Sequence, residues 1–181
     1  MRIIAGEYKG RVVKFPKSKL VRPTTDRTKE SLFNYLNNKI DFDEIKVCDI
    51  YAGSGSLGLE SLSRGAGEVH FVEKNFNVSK ILRENISSLN ANDFCHVYKM
   101  EAVKFSKMSD HSSYNLILAD PPFFQDDIHL VVKNILENNF LKEDGILIIE
   151  RSVQTEAKDV EAFGIEPSRK IGDSLIYEVV F

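Results

Sequence analysis

Val47–Glu60 carries the clearest structural signal in this chain and reads Val-Cys-Asp-Ile-Tyr-Ala-Gly-Ser-Gly-Ser-Leu-Gly-Leu-Glu. It begins inside an apolar run, Ile45–Tyr51, which is typical of a buried parallel strand. A turn containing Gly53, Gly55 and Gly58 follows, and the chain then enters a helical pattern. Glycines at this spacing permit a sharp turn, a close approach of the backbone to a ligand, and tight packing of the helix on the strand.

A carboxylate follows the next apolar run along the chain. Val69–Val72 ends in Glu73, twenty residues after Gly53. A carboxylate at that place accepts hydrogen bonds from ribose hydroxyls, and the N-terminus of the intervening helix offers unpaired N–H groups. The pattern therefore predicts a nucleoside-cofactor site. A dinucleotide dehydrogenase and an S-adenosylmethionine enzyme both fit it, and a glycine turn used for packing alone is the structural alternative.

A second motif discriminates between the two cofactors. The apolar run Tyr114–Ala119 ends in Asp120, Pro121, Pro122 and Phe123. Two prolines end the strand and remove two backbone donors, which leaves carbonyl oxygens beside a carboxylate and an aromatic ring. A hydride-transfer enzyme has no evident use for this cluster, whereas an enzyme that methylates an exocyclic amine does. The alternatives are a strand-end cap for the aspartate and a core position for the phenylalanine.

Strand and helix patterns alternate through the middle of the chain. The predicted strands are Ile45–Tyr51, Glu68–Glu73, Phe94–Lys99, Tyr114–Ala119 and Ile146–Glu150, and the predicted helices lie near Leu57–Arg64, Asn77–Leu89 and Ile128–Asn138. This alternation predicts an α/β protein with a doubly wound, mostly parallel sheet. Near the end, Ile165–Ile171 and Leu175–Phe181 flank the turn Gly172-Asp173, which predicts a C-terminal antiparallel hairpin.

The two motifs are expected to meet at one edge of that sheet. Ligands of doubly wound sheets bind beyond the carboxyl ends of the strands, where the strand order reverses. The loop Ala52–Gly55 follows strand one, and the loop Asp120–Phe123 follows strand four. If strands one and four are neighbours, the two loops face each other and bring a cofactor and an acceptor together.

Composition sets broad bounds on the protein. A chain of 181 residues, 43% of them hydrophobic, suits one globular domain with an appendage. No apolar run approaches the ~20 residues of a membrane span, and no signal-peptide pattern opens the chain, so we expect a cytoplasmic protein. Cys48 and Cys95 lie in predicted strands without a CxxC pair or a histidine cluster in the sequence. We therefore expect free thiols and no metal.

The charge is unevenly distributed. Residues 1–29 hold nine basic and two acidic residues, a net charge of +7, whereas residues 30–181 hold 15 basic and 25 acidic residues, a net charge of −10. Short β runs at Arg2–Ala5 and Arg11–Phe15 predict a hairpin in this basic part. We expect residues 1–26 to form a basic arm whose partner is a phosphate backbone, and residues 27–181 to form the enzymatic domain. A solvated tail fits less well, because the basic residues alternate with strand formers.

These motifs together resemble the class I S-adenosylmethionine-dependent methyltransferases, whose sheet is Rossmann-like. The resemblance rests on Asp-x-x-Ala-Gly-Ser-Gly at residues 49–55, on the acidic residue ending strand two, on the Asp-Pro-Pro-aromatic loop and on the C-terminal hairpin. More narrowly, Arg2–Gly6, Arg22–Arg27 and Leu57–Ala66 resemble the bacterial small-subunit ribosomal RNA guanine-N2 methyltransferases of the RsmD type. The likeness covers nearly all of the chain and is weakest at residues 90–113 and 152–166. Tyr51 and Phe123 depart from the residues most often found at their positions, Phe and Tyr.

The resemblance implies a role for each matching residue. S-adenosylmethionine is the implied cofactor, its methionine part surrounded by Asp49, Ala52, Gly53, Ser54 and Gly55, its ribose held by Glu73 and its adenine edge by Glu101 and Ala102. The implied catalytic residues are Asp120, Pro121 and Phe123. Charge and resemblance together suggest RNA contacts at Arg2, Lys9, Arg11, Lys14, Arg22, Thr25 and Arg27.

The implied reaction is methylation of the exocyclic N2 amine of a guanine in 16S ribosomal RNA, at position 966, on naked RNA or on an assembling small subunit. A DNA adenine or cytosine amino-methyltransferase is the first alternative, although the chain lacks a separate target-recognition domain. A non-catalytic RNA-binding protein with the same fold is the second, and it is disfavoured because both halves of the site are intact. The implied reaction requires no metal, and we do not expect a membrane among the partners.

Overall fold

The strands of the described chain form one mixed sheet. The computed structural model describes residues 1–16, 26–122 and 125–181. The strands are β1 Lys46–Ile50, β2 Glu68–Val72, β3 Cys95–Tyr98, β4 Tyr114–Ala119, β5 Leu141–Ser152, β6 Arg169–Ile171 and β7 Ser174–Val180. Their order in the sheet is β3-β2-β1-β4-β5-β7-β6. β1 to β5 run parallel, and β7 is antiparallel to both of its neighbours, which confirms the predicted doubly wound sheet with its C-terminal hairpin.

Helices cover both faces of the sheet. They are α1 Asp26–Leu36, α2 Ser56–Ser63, α3 Phe76–Ser88, α4 Ala102–Phe105, α5 Asp127–Glu137 and α6 Glu156–Phe163. The apolar side chains of α1, α2 and α3 form one core against the sheet, and those of α4, α5 and α6 pack on the opposite side in a second core. Burying each large aliphatic side chain in these cores contributes about 1.5–3 kcal/mol to stability.

Two elements of the second core have weak sequence signals. Asp159 is the one buried residue of α6, so no apolar periodicity marks that helix. β5 begins at Leu141, five residues before the predicted Ile146. The sequence pattern does not show this first part of the strand, because the exposed residues Lys142–Asp144 interrupt the apolar run. The pairing of β5 with β4 shifts register in the same stretch, and Asp144 has a φ of 60°. Such an irregularity leaves no alternating pattern for the sequence to display.

The N-terminal hairpin is shorter than its sequence predicts. Only one antiparallel bridge, between Arg2 and Val12, is present in the described part of this segment. The Ile3 N–H still donates to the Arg11 carbonyl over 3.0 Å, but the N–H groups of Ile4 and Ala5 donate to the Glu60 carboxylate over 2.8 and 3.1 Å. The hairpin is therefore anchored to α2 by its own backbone.

A buried ion pair extends this anchoring. Lys29 of α1 and Glu60 of α2 are both fully buried, and the Lys29 Nζ lies 3.3 Å from the Glu60 carboxylate. The same ammonium donates to the Arg2 carbonyl over 2.7 Å. Ile3 and Val13 belong to the first hydrophobic core. Residues 1–16 thus pack as part of the folded body.

The cysteines are both free, Cys48 buried in β1 and Cys95 half-buried in β3. Among the described helices none has the length and apolarity needed to cross a membrane.

Candidate active site

The turn after β1 and the turn after β4 leave the sheet side by side. β1 pairs with β4 in parallel, from Val47 opposite Leu116 to Ile50 opposite Ala119. β2 lies on the other side of β1, so the strand order reverses between β1 and β4. This is the arrangement that the sequence predicted conditionally, and it makes the carboxyl ends of these strands the natural ligand-binding edge.

The glycines of the first turn serve different purposes. A Cβ on Gly55 would approach a methyl carbon of Leu82 to 2.4 Å, and a Cβ on Gly58 would approach the ring of Phe71 to 2.3 Å. These two glycines are required for packing the helix against its neighbours. Gly53 shares a positive φ with Gly55, +56° against +88°, but differs in its surroundings, because a Cβ there would meet no atom closer than 4.0 Å. Packing therefore does not explain Gly53, whose open side leaves room for a ligand to approach the backbone.

Glu73 is held in place by the backbone around it. One oxygen of its carboxylate accepts the Gly53 N–H over 3.0 Å, and the other accepts the Asn75 N–H over 2.7 Å. The side chain is half-buried at the end of β2. An ionised carboxylate has about four acceptor sites, so two remain after these bonds. The residue fits the ribose-binding role implied for it.

Asp49 lies in the interior just below the turn. It is 2% exposed, and its carboxylate accepts the Gly58 N–H over 2.8 Å. Burial raises the pKa of Asp49 to about 7, and the nearby charges of Asp120 and Glu73 add to the effect. Ala52, beside it, donates its N–H to the Val72 carbonyl over 3.0 Å.

The hydrogen bonding of Ser54 bears on whether the turn after β1 binds a ligand. Its carbonyl accepts a hydrogen bond from the Asn85 side chain over 2.9 Å, which fixes the backbone. Its Oγ is buried and has no hydrogen-bond partner among the described residues. A buried hydroxyl without a hydrogen-bond partner is unusual in a native protein. It fits a turn that is completed by a polar ligand.

A fourth carboxyl group at this edge was missed by the sequence analysis. Glu150 lies two residues before the end of β5, is 4% exposed, and accepts a hydrogen bond from the Ser174 hydroxyl over 2.7 Å. Burial raises its pKa, and the charge of Asp120 raises it further. The sequence contained a signal for Glu150 as a site residue, because it ends the apolar run that begins at Ile146, just as Glu73 ends the run Val69–Val72. The concentration of carboxyl groups here favours a positively charged ligand such as a sulfonium.

The structure narrows the choice of carbonyls in the second motif. Asp120 directly follows β4, and Pro121 is buried behind it. The carbonyl of Pro122 accepts the Gln125 N–H over 2.9 Å and is therefore engaged. The Pro121 carbonyl has no hydrogen-bond donor among the described residues, so its oxygen is available to a ligand. Phe123 lies outside the described residues.

The residues assigned to the adenine edge follow β3. Ala102 is buried at the start of α4, and Glu101 is exposed, with its carboxylate 3.8 Å from the Lys104 ammonium. The end of β3 adjoins the ribose-binding position, because the Tyr98 carbonyl accepts the Glu73 N–H over 3.1 Å.

The basic residues assigned to RNA differ in their availability. Those that are described and exposed are Arg2, Lys9, Arg11, Lys14 and Arg27. The Arg11 guanidinium donates to the Ser88 carbonyl, and the Lys14 ammonium lies 3.5 Å from Glu84. Lys29 adds nothing to this surface, because its charge is buried against Glu60. Arg22 and Thr25 lie outside the described residues.

Comparison with known proteins identifies relatives over nearly the whole chain. The family model described as Conserved hypothetical protein 95 matches residues 1–179. The chain is 31% identical over 179 residues to Ribosomal RNA small subunit methyltransferase D of Escherichia coli, covering 99% of this chain and 88% of that protein. It is 36% identical over 152 residues to the protein of the same name from Haemophilus influenzae, covering 83% and 78%.

Solved structures share the fold. The structure of yhhF from Escherichia coli superposes with a TM-score of 0.80 at 28% identity, covering 98% of this chain and 97% of that one. A precorrin-6y C5,15-methyltransferase from Geobacter metallireducens reaches a TM-score of 0.69 at 15% identity, covering 93% and 94%, and shows the fold alone. The length of the family match and the identity to these relatives lead to one conclusion: the chain belongs to the Conserved hypothetical protein 95 family, which is the RsmD family.

Proposed function

We propose that this protein is a cytoplasmic S-adenosylmethionine-dependent methyltransferase that modifies the exocyclic N2 amine of a guanine in small-subunit ribosomal RNA, at the position numbered 966. The observation that carries the proposal is the pairing of β1 with β4, because the glycine turn follows β1 and Asp120, Pro121 and Pro122 follow β4. The relatives named as ribosomal RNA small subunit methyltransferases support the coarser part of this proposal, methylation of small-subunit ribosomal RNA.

The cofactor is assigned to the edge formed by the turns after β1, β2 and β3. Asp49 and residues 52–55 are assigned to its methionine part, Glu73 to its ribose, and Glu101 with Ala102 to its adenine. When bound, S-adenosylmethionine supplies an activated methyl group on a sulfonium. The open side of Gly53 and the orphaned Ser54 hydroxyl support this placement.

The residues after β4 act on the amine. The lone pair of a guanine N2 is delocalised into the ring, so the nitrogen is a poor nucleophile. The Asp120 carboxylate and the Pro121 carbonyl each accept one N–H of the amine and orient its nitrogen for in-line attack. Positioning of this kind can supply much of the rate enhancement. The proton of the amine passes toward Asp120 during or after the attack.

Recognition of the RNA is assigned to two parts of the chain. Phe123 stacks on the target base once the base has been splayed out of its helix or loop. The exposed basic residues of the N-terminal arm, together with Arg22, Thr25 and Arg27, contact the phosphate backbone, since the rest of the chain is acidic.

A methyl-transfer assay with three substrates tests the proposal. The purified protein is incubated with labelled S-adenosylmethionine and with 16S ribosomal RNA, isolated small ribosomal subunits, or duplex DNA. We expect label in the ribosomal RNA of one or both of the first two, and nucleoside analysis should identify N2-methylguanosine. Label in DNA would favour an amino-methyltransferase of DNA. Cofactor binding without transfer to any substrate would favour a non-catalytic RNA-binding protein.

A further inference from the structure

Three side chains of types that bind metal ions converge where β2 pairs with the outermost strand β3. Glu68 and His70 belong to β2, and their spacing of two residues places them on one face of the strand. His96 of β3 lies directly opposite His70 in the parallel register. The two histidines are 26 residues apart in the chain. The sequence therefore shows no histidine cluster, and the pairing of β2 with β3 creates one.

The distances suit a single metal ion. The Glu68 Oε1 lies 2.6 Å from the His70 Nε2 and 3.3 Å from the His96 Nε2. One ligand atom from each of the three residues lies within 4.8 Å of the others. Zinc bonds to nitrogen and oxygen are about 2.0–2.2 Å long, so tetrahedral ligand atoms are separated by about 3.3–3.6 Å. Small side-chain rotations are enough to reach that geometry.

The buried histidine is oriented as a metal ligand usually is. The Nδ1 of His70 lies 2.8 Å from the hydroxyl of the buried Tyr114, which directs Nε2 toward Glu68. Ligating histidines are commonly fixed through their second nitrogen in this way.

Lys46 works against a cation at this place. Its ammonium lies 2.7 Å from the other carboxylate oxygen, Oε2 of Glu68, and thereby leaves Oε1 to the two imidazoles. A metal ion is therefore bound less tightly than three such ligands alone would allow. The His96 side chain is 56% exposed and Glu68 is 31% exposed, which gives an ion direct access from solvent.

We propose that Glu68, His70 and His96 form a site for a divalent transition-metal ion of the zinc class, independent of the proposed methyl transfer. Two imidazoles and a carboxylate select zinc or its neighbours over magnesium and calcium. His70 is the ligand nearest to Glu73 along β2 and lies three residues before it, about 10 Å away at 3.3 Å per residue. The metal therefore joins the edge strand β3 to β2 and does not contact the residues assigned to the chemistry at the carboxyl ends of the strands.

Zinc binding by the untagged, chelator-stripped protein tests the proposal. Zn²⁺ is titrated in competition with a chromophoric chelator, and we expect one equivalent to bind. His96→Gln should weaken binding by at least about tenfold, and Tyr114→Phe should weaken it by about tenfold or more. His96 is exposed, so its substitution leaves the fold intact. His111→Gln, which removes a histidine elsewhere, is the matched control and should bind as the wild type does.

Two further measurements separate this site from its alternatives. Lys46→Met should tighten zinc binding, because it removes a competing charge, whereas a cluster that is only an ion-pair network gains nothing from that change. Co²⁺ in place of zinc should show no thiolate charge-transfer band, which excludes Cys48 and Cys95 as ligands. Equal zinc affinity of the wild type and His96→Gln, or a thiolate band, would overturn the proposal.

Discussion

Gly53 donates its backbone N–H to the Glu73 carboxylate over 3.0 Å, which joins the turn after β1 to the end of β2. The second carboxylate oxygen is held by the Asn75 N–H. The orientation of Glu73 is thereby set by the protein before any ligand binds. A carboxylate organised in this way loses little conformational entropy when it accepts further hydrogen bonds from a ribose.

Gly53→Val should abolish cofactor binding with a modest effect on the fold. The valine side chain would occupy the open side of the turn and block the approach of a ligand to the backbone. We expect S-adenosylmethionine to raise the Tm of the wild type and not that of the variant, and NAD to shift neither. Gly172→Val is the matched control, because its φ of +60° imposes similar strain at a hairpin turn far from the site. A wild type stabilised by NAD alone would contradict the cofactor assignment.

Asp120→Ala should lower the rate of methyl transfer by orders of magnitude. The substitution removes one of the two acceptors that we propose orient the amine, while the cofactor turn stays intact. Asp120→Asn keeps an acceptor oxygen at the same place and should fall between alanine and the wild type. Single-turnover rates measure the effect, and the thermal shift with S-adenosylmethionine shows that the cofactor still binds. Near wild-type turnover by Asp120→Ala would show that the amine is held elsewhere.

Stability without cofactor should fall as the pH rises through neutrality. The pKa of Asp49 is about 7 in the folded protein against an ordinary value of 3.8, so the folded state retains a proton that the unfolded state loses. That contribution is fully present below about pH 4, falls progressively as the pH rises, and is lost once the pH passes about 7. Asp49→Asn should flatten the dependence of Tm on pH. The raised pKa of Glu150 leaves a residual slope in the variant. Parallel Tm curves for the two proteins would show that Asp49 is ionised throughout.

Glu60→Gln should destabilise the fold strongly. It leaves the buried Lys29 ammonium without its counter-charge, a change that typically costs about 3–5 kcal/mol. Glu137→Gln is the control, because Glu137 and Lys133 form an exposed pair 3.7 Å apart whose loss costs less than about 1 kcal/mol. Urea unfolding measures both. Equal midpoints for the two variants would mean that the buried pair is dispensable.

Charge reversal in the N-terminal arm should weaken RNA binding and reduce its dependence on salt. Changing Lys9, Arg11 and Lys14 to Glu removes up to three phosphate contacts, each of which contributes about one unit to the slope of log affinity against log salt. Affinity for S-adenosylmethionine should stay nearly unchanged. The control reverses three lysines on the opposite face of the sheet, namely Lys104, Lys107 and Lys133. An arm variant with the salt slope of the wild type would place the RNA surface elsewhere.

The alternation of strands and helices, the glycine turn and the carboxylate at Glu73 are legible in the sequence because each depends on neighbours along the chain. Apolar runs bounded by turn residues specify β1, β2 and β4, and Tyr114–Ala119 has the same limits in the sequence and in the structure. Elements with little buried surface, such as α6, leave no such pattern. The beginning of β5 is not marked in the sequence either, because Lys142–Asp144 are polar and exposed.

The order and register of the strands determined which side chains lie next to one another. The adjacency of β1 and β4 brings Asp49, Glu73 and Asp120 close enough for their charges to interact, and it adds Glu150 from β5. The register of β2 against β3 sets His96 beside His70, although nothing in their spacing suggests it. Tertiary packing also turned the N–H groups of Ile4 and Ala5 toward Glu60 instead of a second strand. Such contacts depend on the free energy of pairing strands that are distant in the sequence. That free energy is a sum over many residues, so no short stretch of sequence determines it.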